Sequence, residues 1–338
     1  MAGATGECFE KAGELLEEMA SIRLSESVIE TLTEDIGALV EELMKSGHTF
    51  GEKKDWAFHR DRQGRSVAYV SLDATGVRQQ DGQGGPAEGR MPYVGMIYNP
   101  HPTEQADPTS GERSKKQRSP HRPMEARYVS GLYSLAEIGE RMRLQAGQVG
   151  MERADLWIGL SDGGNGLESC LRSAFPRVEV IILDYWHAAE YLWDLARAVY
   201  PGDEESRETL GLSWCRRLKT EGGERMIQAL EEWEPPVDRR LAVESKRAEV
   251  VGYFRNQQHR MNYPEYIRQG WQIGSGAVES ACKTVVGARL KGAGMRWGEQ
   301  GTHHMCHVRA LYRSQKGQWQ AFWNRQWRKS KQVFYQQN

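Results

Sequence analysis

The stretch from Trp271 to Trp297, WQIGSGAVESACKTVVGARLKGAGMRW, places a single carboxylate, Glu279, at the head of a segment that is otherwise apolar and basic. Gly274, Ser275 and Gly276 read as a turn, with Ser275 able to cap the amides that follow. Ala277, Val278, Ala281, Val285 and Ala288 recur at helical spacing, so Glu279 falls in the first helical turn. An acid there complements the helix dipole in any protein. Its company is less ordinary: Lys283 follows at i+4, then Arg289, Lys291 and Arg296, with no further acid until Glu299. A lone carboxylate followed by bases suits a metal-binding acid facing a polyanion, with Lys283, Arg289, Lys291 and Arg296 on its phosphates.

Other acids stand where strands should end. Val67 to Leu72 reads as a short buried strand running out at Asp73, before a Gly-rich loop from Gln80 to Pro92. Tyr93 to Tyr98 reads as its hairpin partner and Tyr128 to Tyr133 as a third strand. Leu156 to Leu160 leads into Ser161-Asp162-Gly163, and Val178 to Leu183, apolar apart from Glu179, runs out at Asp184. One such aspartate is an ordinary turn residue. Three at the ends of neighbouring strands would gather carboxylates on one edge. A continuous apolar strand implies a sheet covered on both faces, so strands two, one, four and five with packed helices make an α/β layer. His187, three residues past Asp184, could orient a metal-bound water or a phosphate, or be a hydrogen-bonded structural histidine. His303, His304, Cys306 and His307 are metal-capable types that lack a matching second pair at zinc spacing.

The surrounding elements are mostly helical. Residues 8–20 and 25–45 have helical periodicity, with Ser27 and Glu30 spaced like a capping box. A helix-turn-helix reading founders on Glu26, Glu30, Glu34, Asp35, Glu41 and Glu42, which would repel phosphates, so a packing or dimerising pair is expected. Leu135 to Gln148 should bury Leu135, Ile138, Met142 and Leu144, and Asn165 to Phe175 should form another helix. His101 to Pro123, with four prolines and five Lys or Arg, reads as a basic loop able to grip a phosphate backbone.

Bulk properties narrow the class. The chain has 338 residues, 39% hydrophobic, with mean hydropathy −0.69 and no apolar run long enough for a bilayer. The first 30 residues lack a basic start followed by an apolar run, so no signal peptide is expected. Five cysteines without a CxxC pair read as reduced thiols of a cytoplasmic protein. A net charge of −1 hides an asymmetry: residues 283–338 hold 11 Lys or Arg against Glu299 alone. The basic end is therefore suited to an anionic partner or to the acidic part of its own chain. Its interleaved aromatics, Trp297, Tyr312, Trp319, Phe322, Trp323, Trp327, Phe334 and Tyr335, suit nucleic-acid stacking or, more commonly, a core.

The motifs SLDATG around Asp73, LSDGG around Asp162, ILDYWHAAEYL around Asp184 and His187, and WQIGSGAVESACK with RLKGAGMRW around Glu279 together resemble the ISKra-type insertion-sequence transposases, Mutator-like DDE enzymes of prokaryotic mobile elements. The resemblance spans about residues 65–325 and is most specific at 271–297. It implies a mixed α/β, RNase H-like sheet flanked by helices and interrupted by an all-helical insertion. The organisation expected is an N-terminal helical segment (1–50), a first part of the core (65–187), the insertion (188–270), the helix with the glutamate (271–298) and a basic aromatic helical end (299–338). Asp73, Asp162 and Glu279 match the acidic triad, holding two Mg²⁺ or Mn²⁺ for in-line displacement at phosphorus, and Asp184 with His187 matches an accessory D-x-x-H motif. Implied partners are double-stranded DNA, as element ends and target, and a second copy of the chain, near the nucleoid. Such enzymes usually carry more sequence ahead of the core, including a cysteine-containing zinc-binding stretch. The alternative expectation is thus a shortened remnant that only binds DNA. A phosphohydrolase of another α/β class is disfavoured because Asp73-Ala74-Thr75 lacks the second aspartate of a phospho-aspartate loop.

Overall fold

A computed structural model describes residues 1–100, 124–235, 240–274, 276–314 and 317–336, without the side chains of 240–242 and 329–336. The basic loop expected at 101–123, the cap expected from Ser275 and the side chains of Phe334 and Tyr335 lie outside this description. The chain begins with three helices, α1 (Ala2–Thr5), α2 (Phe9–Ala20) and α3 (Glu26–Lys45). The cap of α3 is Ser25, whose hydroxyl takes the Val28 amide; Ser27, expected to cap, is already the second residue of the helix.

A mixed sheet follows. Its strands are β1 (His59–Arg60), β2 (Ser66–Ala74), β5 (Tyr93–Asn99), β6 (Glu125–Gly131), β7 (Leu156–Ser161) and β8 (Val178–Leu183), with a separate ribbon of β3 (Val77–Gln80) and β4 (Pro86–Arg90) between β2 and β5. The order is β6-β5-β2-β7-β8, with β1 paired to the start of β2. β5 is antiparallel to both β2 and β6, whereas β7 is parallel to β2 and β8 parallel to β7. The apolar run of β2 is buried from Val67 to Leu72, and its two side-chain sets face different layers. Tyr69, with Val67, meets Met96, Tyr98, Ile158 and the later helices, whereas Ala68, Val70 and Leu72 meet Ile138, Met142, Leu167 and Leu171. Burying each of these larger side chains contributes about 1.5–3 kcal/mol.

The ribbon replaces the expected Gly-rich loop. Asp81 takes the amides of Gln83 and Gly85, tightening a turn in a segment whose composition alone signals no strand. The third strand starts three residues earlier than expected, at Glu125, and pairs with β5 through Asn99.

On one face of the sheet lie α4 (Leu135–Gln148) and α5 (Leu167–Ala174). Ile138 and Met142 of α4 are buried as expected, but Leu144 is exposed, and Ala146 is buried in its place. Between β8 and the glutamate-bearing segment run α6 (Tyr185–Val199), α7 (Glu204–Glu232), α8 (Arg240–Gln257), a 3-10 turn (Gln258–Arg260) and α9 (Tyr263–Gln269). α7 bends at Gly222, whose φ of 86° is open to glycine and strained for other residues. These helices share one core with the sheet: Leu192, Trp214, Leu218, Met226, Phe254 and Met261 join the cluster that holds Tyr69 and Ile158.

Next come α10 (Gly276–Ala281), a π-helical turn (Cys282–Gly287), α11 (Ala288–Leu290), α12 (Glu299–Arg313) and α13 (Gln318–Gln336). The π turn leaves carbonyls without their usual partners, and Arg309, 1% exposed on α12, donates to the carbonyls of Thr284 and Val285 and to that of Ala4. α3 packs on α12 so closely that a Cβ on Gly37 would lie 2.5 Å from the His304 carbonyl oxygen. The N-terminal pair is therefore a packing element of this fold. Among the C-terminal aromatics, Trp297 and Phe322 are core residues and Trp327 is exposed. No described helix is long and apolar enough to cross a membrane.

Candidate functional site

The register of the sheet positions two acids. Ser71 pairs with Leu160 across the parallel β2 and β7, so Asp73 and Asp162, each two residues further on, share a face at adjacent strand ends. Ser161 pairs with Leu183 in the same way, setting Asp184 beside Asp162. Glu279 enters from α10, in its first turn as expected, with Lys283 Nζ 3.8 Å from its carboxylate. The peptide leading to α10 is tied to this edge. Ile273 O accepts the Tyr185 amide at 2.9 Å, the Gln272 amide donates to the Tyr69 hydroxyl at 3.3 Å, and Gly274 sits against the Trp186 ring.

Asp73 Oδ1 takes the Ala74 amide at 2.7 Å, and Oδ2 lies 3.5 Å from Cys282 Sγ at the start of the π turn. Burial pushes the Asp73 carboxyl above the usual carboxylate range, and the charges of Asp162 and Glu279 add to the rise. Asp162 Oδ1 takes the Gly164 amide at 2.8 Å, closing a turn. The three acids thus face one another electrostatically while standing apart. Among the described residues, only Glu41, His303 and His307 bring potential ligand atoms all within 4.8 Å of one another.

Asp184 is 3% exposed and caps α6, taking the amides of Trp186 and His187 at 3.1 and 3.2 Å. His187 Nδ1 lies 3.5 Å from Glu190, and its ring is edge-on to Tyr191 and Tyr253. The D-x-x-H spacing is here that of a helix cap.

The four expected phosphate contacts divide. Lys283 and Arg296 are exposed, and exposed Lys291 donates to the Thr75 hydroxyl beside Asp73. Arg289 is withdrawn from the set: it is 1% exposed, donates to Gly3 O at 2.9 Å, and lies over the rings of Phe9 and Trp297. A guanidinium buried between two aromatic faces holds α1 to the core, and a phosphate cannot reach it. With Arg309 buried too, part of the C-terminal positive charge is structural.

Glu41, His303 and His307 form a group that could hold a metal ion. His303 and His307 lie one turn apart on α12, and Glu41 replaces the Cys306 suggested by the sequence, which is fully buried elsewhere in the core. The imidazole nitrogens already have partners. The Leu132 amide donates to His303 Nδ1 at 2.9 Å, which leaves Nε2 as donor to Glu41 at 3.1 Å, and His307 sits between the Tyr133 hydroxyl at 2.5 Å and Gly37 O. Burial opposes ionisation of Glu41, yet hydrogen bonds from Lys45 and His303 hold its carboxyl down at about 2. Burial pushes His307 down to about 3, so it is neutral at physiological pH.

Three residues around the acids were not singled out in the sequence. Arg260, 2% exposed after α8, donates to Ser161 O at 2.9 Å, Ser161 Oγ at 2.7 Å and Asp162 O at 3.2 Å, fixing the end of β7. Cys282 touches Asp73, and the Tyr253 hydroxyl abuts Gly163. Arg260 and Tyr253 lie in charged helical sequence, where the ordinary expectation for an arginine is a solvated one. The donors around Asp73, Asp162 and Glu279 are hard oxygens, the ligand chemistry of Mg²⁺ and Mn²⁺, whereas the Glu41 group, with two imidazoles, has the donor set of zinc. Comparison of the chain with protein-family models and with curated proteins finds a match in neither.

Proposed function

We propose that the chain is a DDE transposase of the ISKra type, with an RNase H-like core, that cleaves and joins DNA strands with Mg²⁺ or Mn²⁺ held by Asp73, Asp162 and Glu279. The observation that carries this reading is the placement of Asp73 and Asp162 at adjacent parallel strand ends, with the charge of Glu279 reaching Asp73. The mixed sheet, followed by helices before the glutamate, agrees with the architecture the resemblance implies. Bound divalent ions would activate a water or a DNA 3′-hydroxyl and stabilise the leaving oxygen. The chain's own part is to hold the carboxylates: Arg260 fixes the Asp162 backbone, and Ala74 and Cys282 orient Asp73. The DNA partner is double-stranded, and a homodimer in the nucleoid region is the assembly proposed.

A second reading, a remnant that binds DNA without cutting it, is favoured by Asp73, Asp162 and Glu279 not bringing ligand atoms all within 4.8 Å of one another. Incubation with supercoiled plasmid separates the two. The enzyme nicks it with Mg²⁺ or Mn²⁺ and stops on chelation; retention of DNA without nicking under either ion selects the remnant.

Replacing Lys283, Lys291 and Arg296 together by Gln should lower the salt dependence of DNA binding, with the slope of log K on log salt falling by about 2–3. Filter binding across a salt series reads this, and an unchanged slope removes these side chains from the DNA interface.

A further inference from the structure

Tyr253 of α8 stacks on Tyr191 of α6 with ring centroids 4.0 Å apart and an interplanar angle of 10°. That stack drives its hydroxyl against the turn carrying Asp162, where a Cβ on Gly163 would lie 2.2 Å from the phenol oxygen. The hydroxyl is buried and has no hydrogen-bond partner among the described residues. It stands within electrostatic reach of Asp162 and Asp184. Burying a hydroxyl without a partner costs about 1–3 kcal/mol, and removing it would be neutral or stabilising if its only role were to fill space. Asp184 gives both carboxylate oxygens to amides at the start of α6, whereas Asp162, beside the glycine that the phenol abuts, has Oδ1 on the Gly164 amide.

We propose that Tyr253 is a positioning residue for Asp162: its hydroxyl donates to one Asp162 oxygen when that carboxylate turns to share a divalent cation with Asp73. This rests on the metal-binding reading of the acidic triad. Ligating carboxylates are themselves oriented by hydrogen bonds, and losing such a partner typically weakens metal affinity about 10–100-fold. The glycine at 163 admits the phenol, and the aromatic stack fixes it without using the hydroxyl.

Calorimetric titration of the whole chain with Mn²⁺, in the absence of DNA, tests this. Tyr253→Phe keeps the ring and the stack, so it should melt no lower than wild type while binding Mn²⁺ about 10-fold more weakly. Asp162→Asn in the same titration should lose the binding. If Asp162→Asn loses it and Tyr253→Phe binds like wild type, the role of Tyr253 is overturned and the triad stands. If wild type takes up no Mn²⁺, or Asp162→Asn binds it unchanged, the triad reading falls and this inference with it.

Discussion

Asp73→Asn should abolish divalent-dependent DNA cleavage, by at least about 10³-fold, and at the same time raise the melting temperature of the metal-free protein. The first effect follows from removing a charged oxygen that the proposed reading assigns to the divalent ions, whose charge stabilisation is worth several kcal/mol. The second follows from the cause of its raised carboxyl: burial first, then the charges of Asp162 and Glu279. An aspartate that takes up its proton more readily folded than unfolded is unpenalised at pH below its unfolded value. The cost to stability builds as pH climbs from its unfolded value to its folded one, and is constant above that. Wild type and Asp73→Asn should therefore melt alike in acid and diverge as pH rises, with the variant the more stable. Glu279→Gln should also abolish cleavage while DNA binding persists. Calorimetry across pH together with a plasmid-nicking assay checks both, and nicking at the wild-type rate by either variant would remove the triad as the reaction centre.

Arg260→Ala should destabilise the fold by about 1.5–3 kcal/mol, the cost of losing hydrogen bonds from a buried charged group. Its guanidinium is nearly inaccessible and ties together Ser161 O, Ser161 Oγ and Asp162 O, with the Glu168 carboxylate 3.8 Å from its Nε. Alanine removes the side-chain donor to Ser161 Oγ and Asp162 O, while Ser161 O keeps the Asp184 amide at 3.0 Å. Urea denaturation should show a lower midpoint at unchanged slope. Arg260→Lys should recover only part of the loss, because one ammonium cannot reproduce the planar fork. A change under about 1 kcal/mol would show that the network is not what holds the end of β7.

The apolar runs at 67–72, 93–98, 156–160 and 178–183 announced strands because both faces of a covered sheet demand continuous hydrophobicity. That pattern also placed Asp162 and Asp184 just past the ends of β7 and β8, whereas β2 runs on through Asp73 to Ala74 by pairing with β5. The short ribbon from Val77 to Arg90 was not legible, since its turn is made by Asp81 and the local composition is that of a loop. The cap at Ser25 was missed for a related reason: two serines sit within one turn, and only the path of the chain into α3 decides which hydroxyl meets the amides.

Composition and spacing by themselves determined the α/β class, the helical stretch after the last strand, and the acid at the head of the Trp271–Trp297 segment, because periodicity and chain breaks are local properties. Tertiary structure alone decided the fate of the charges. Arg289 and Arg309 carry the same charge in the sequence as Lys283 and Arg296, yet aromatic rings and stranded carbonyls draw the first two into the core. Glu41 comes to His303 from 262 residues away, and Arg260 reaches Asp162 across 98. Such meetings depend on how helices pack on the sheet, and no local pattern of residues encodes them.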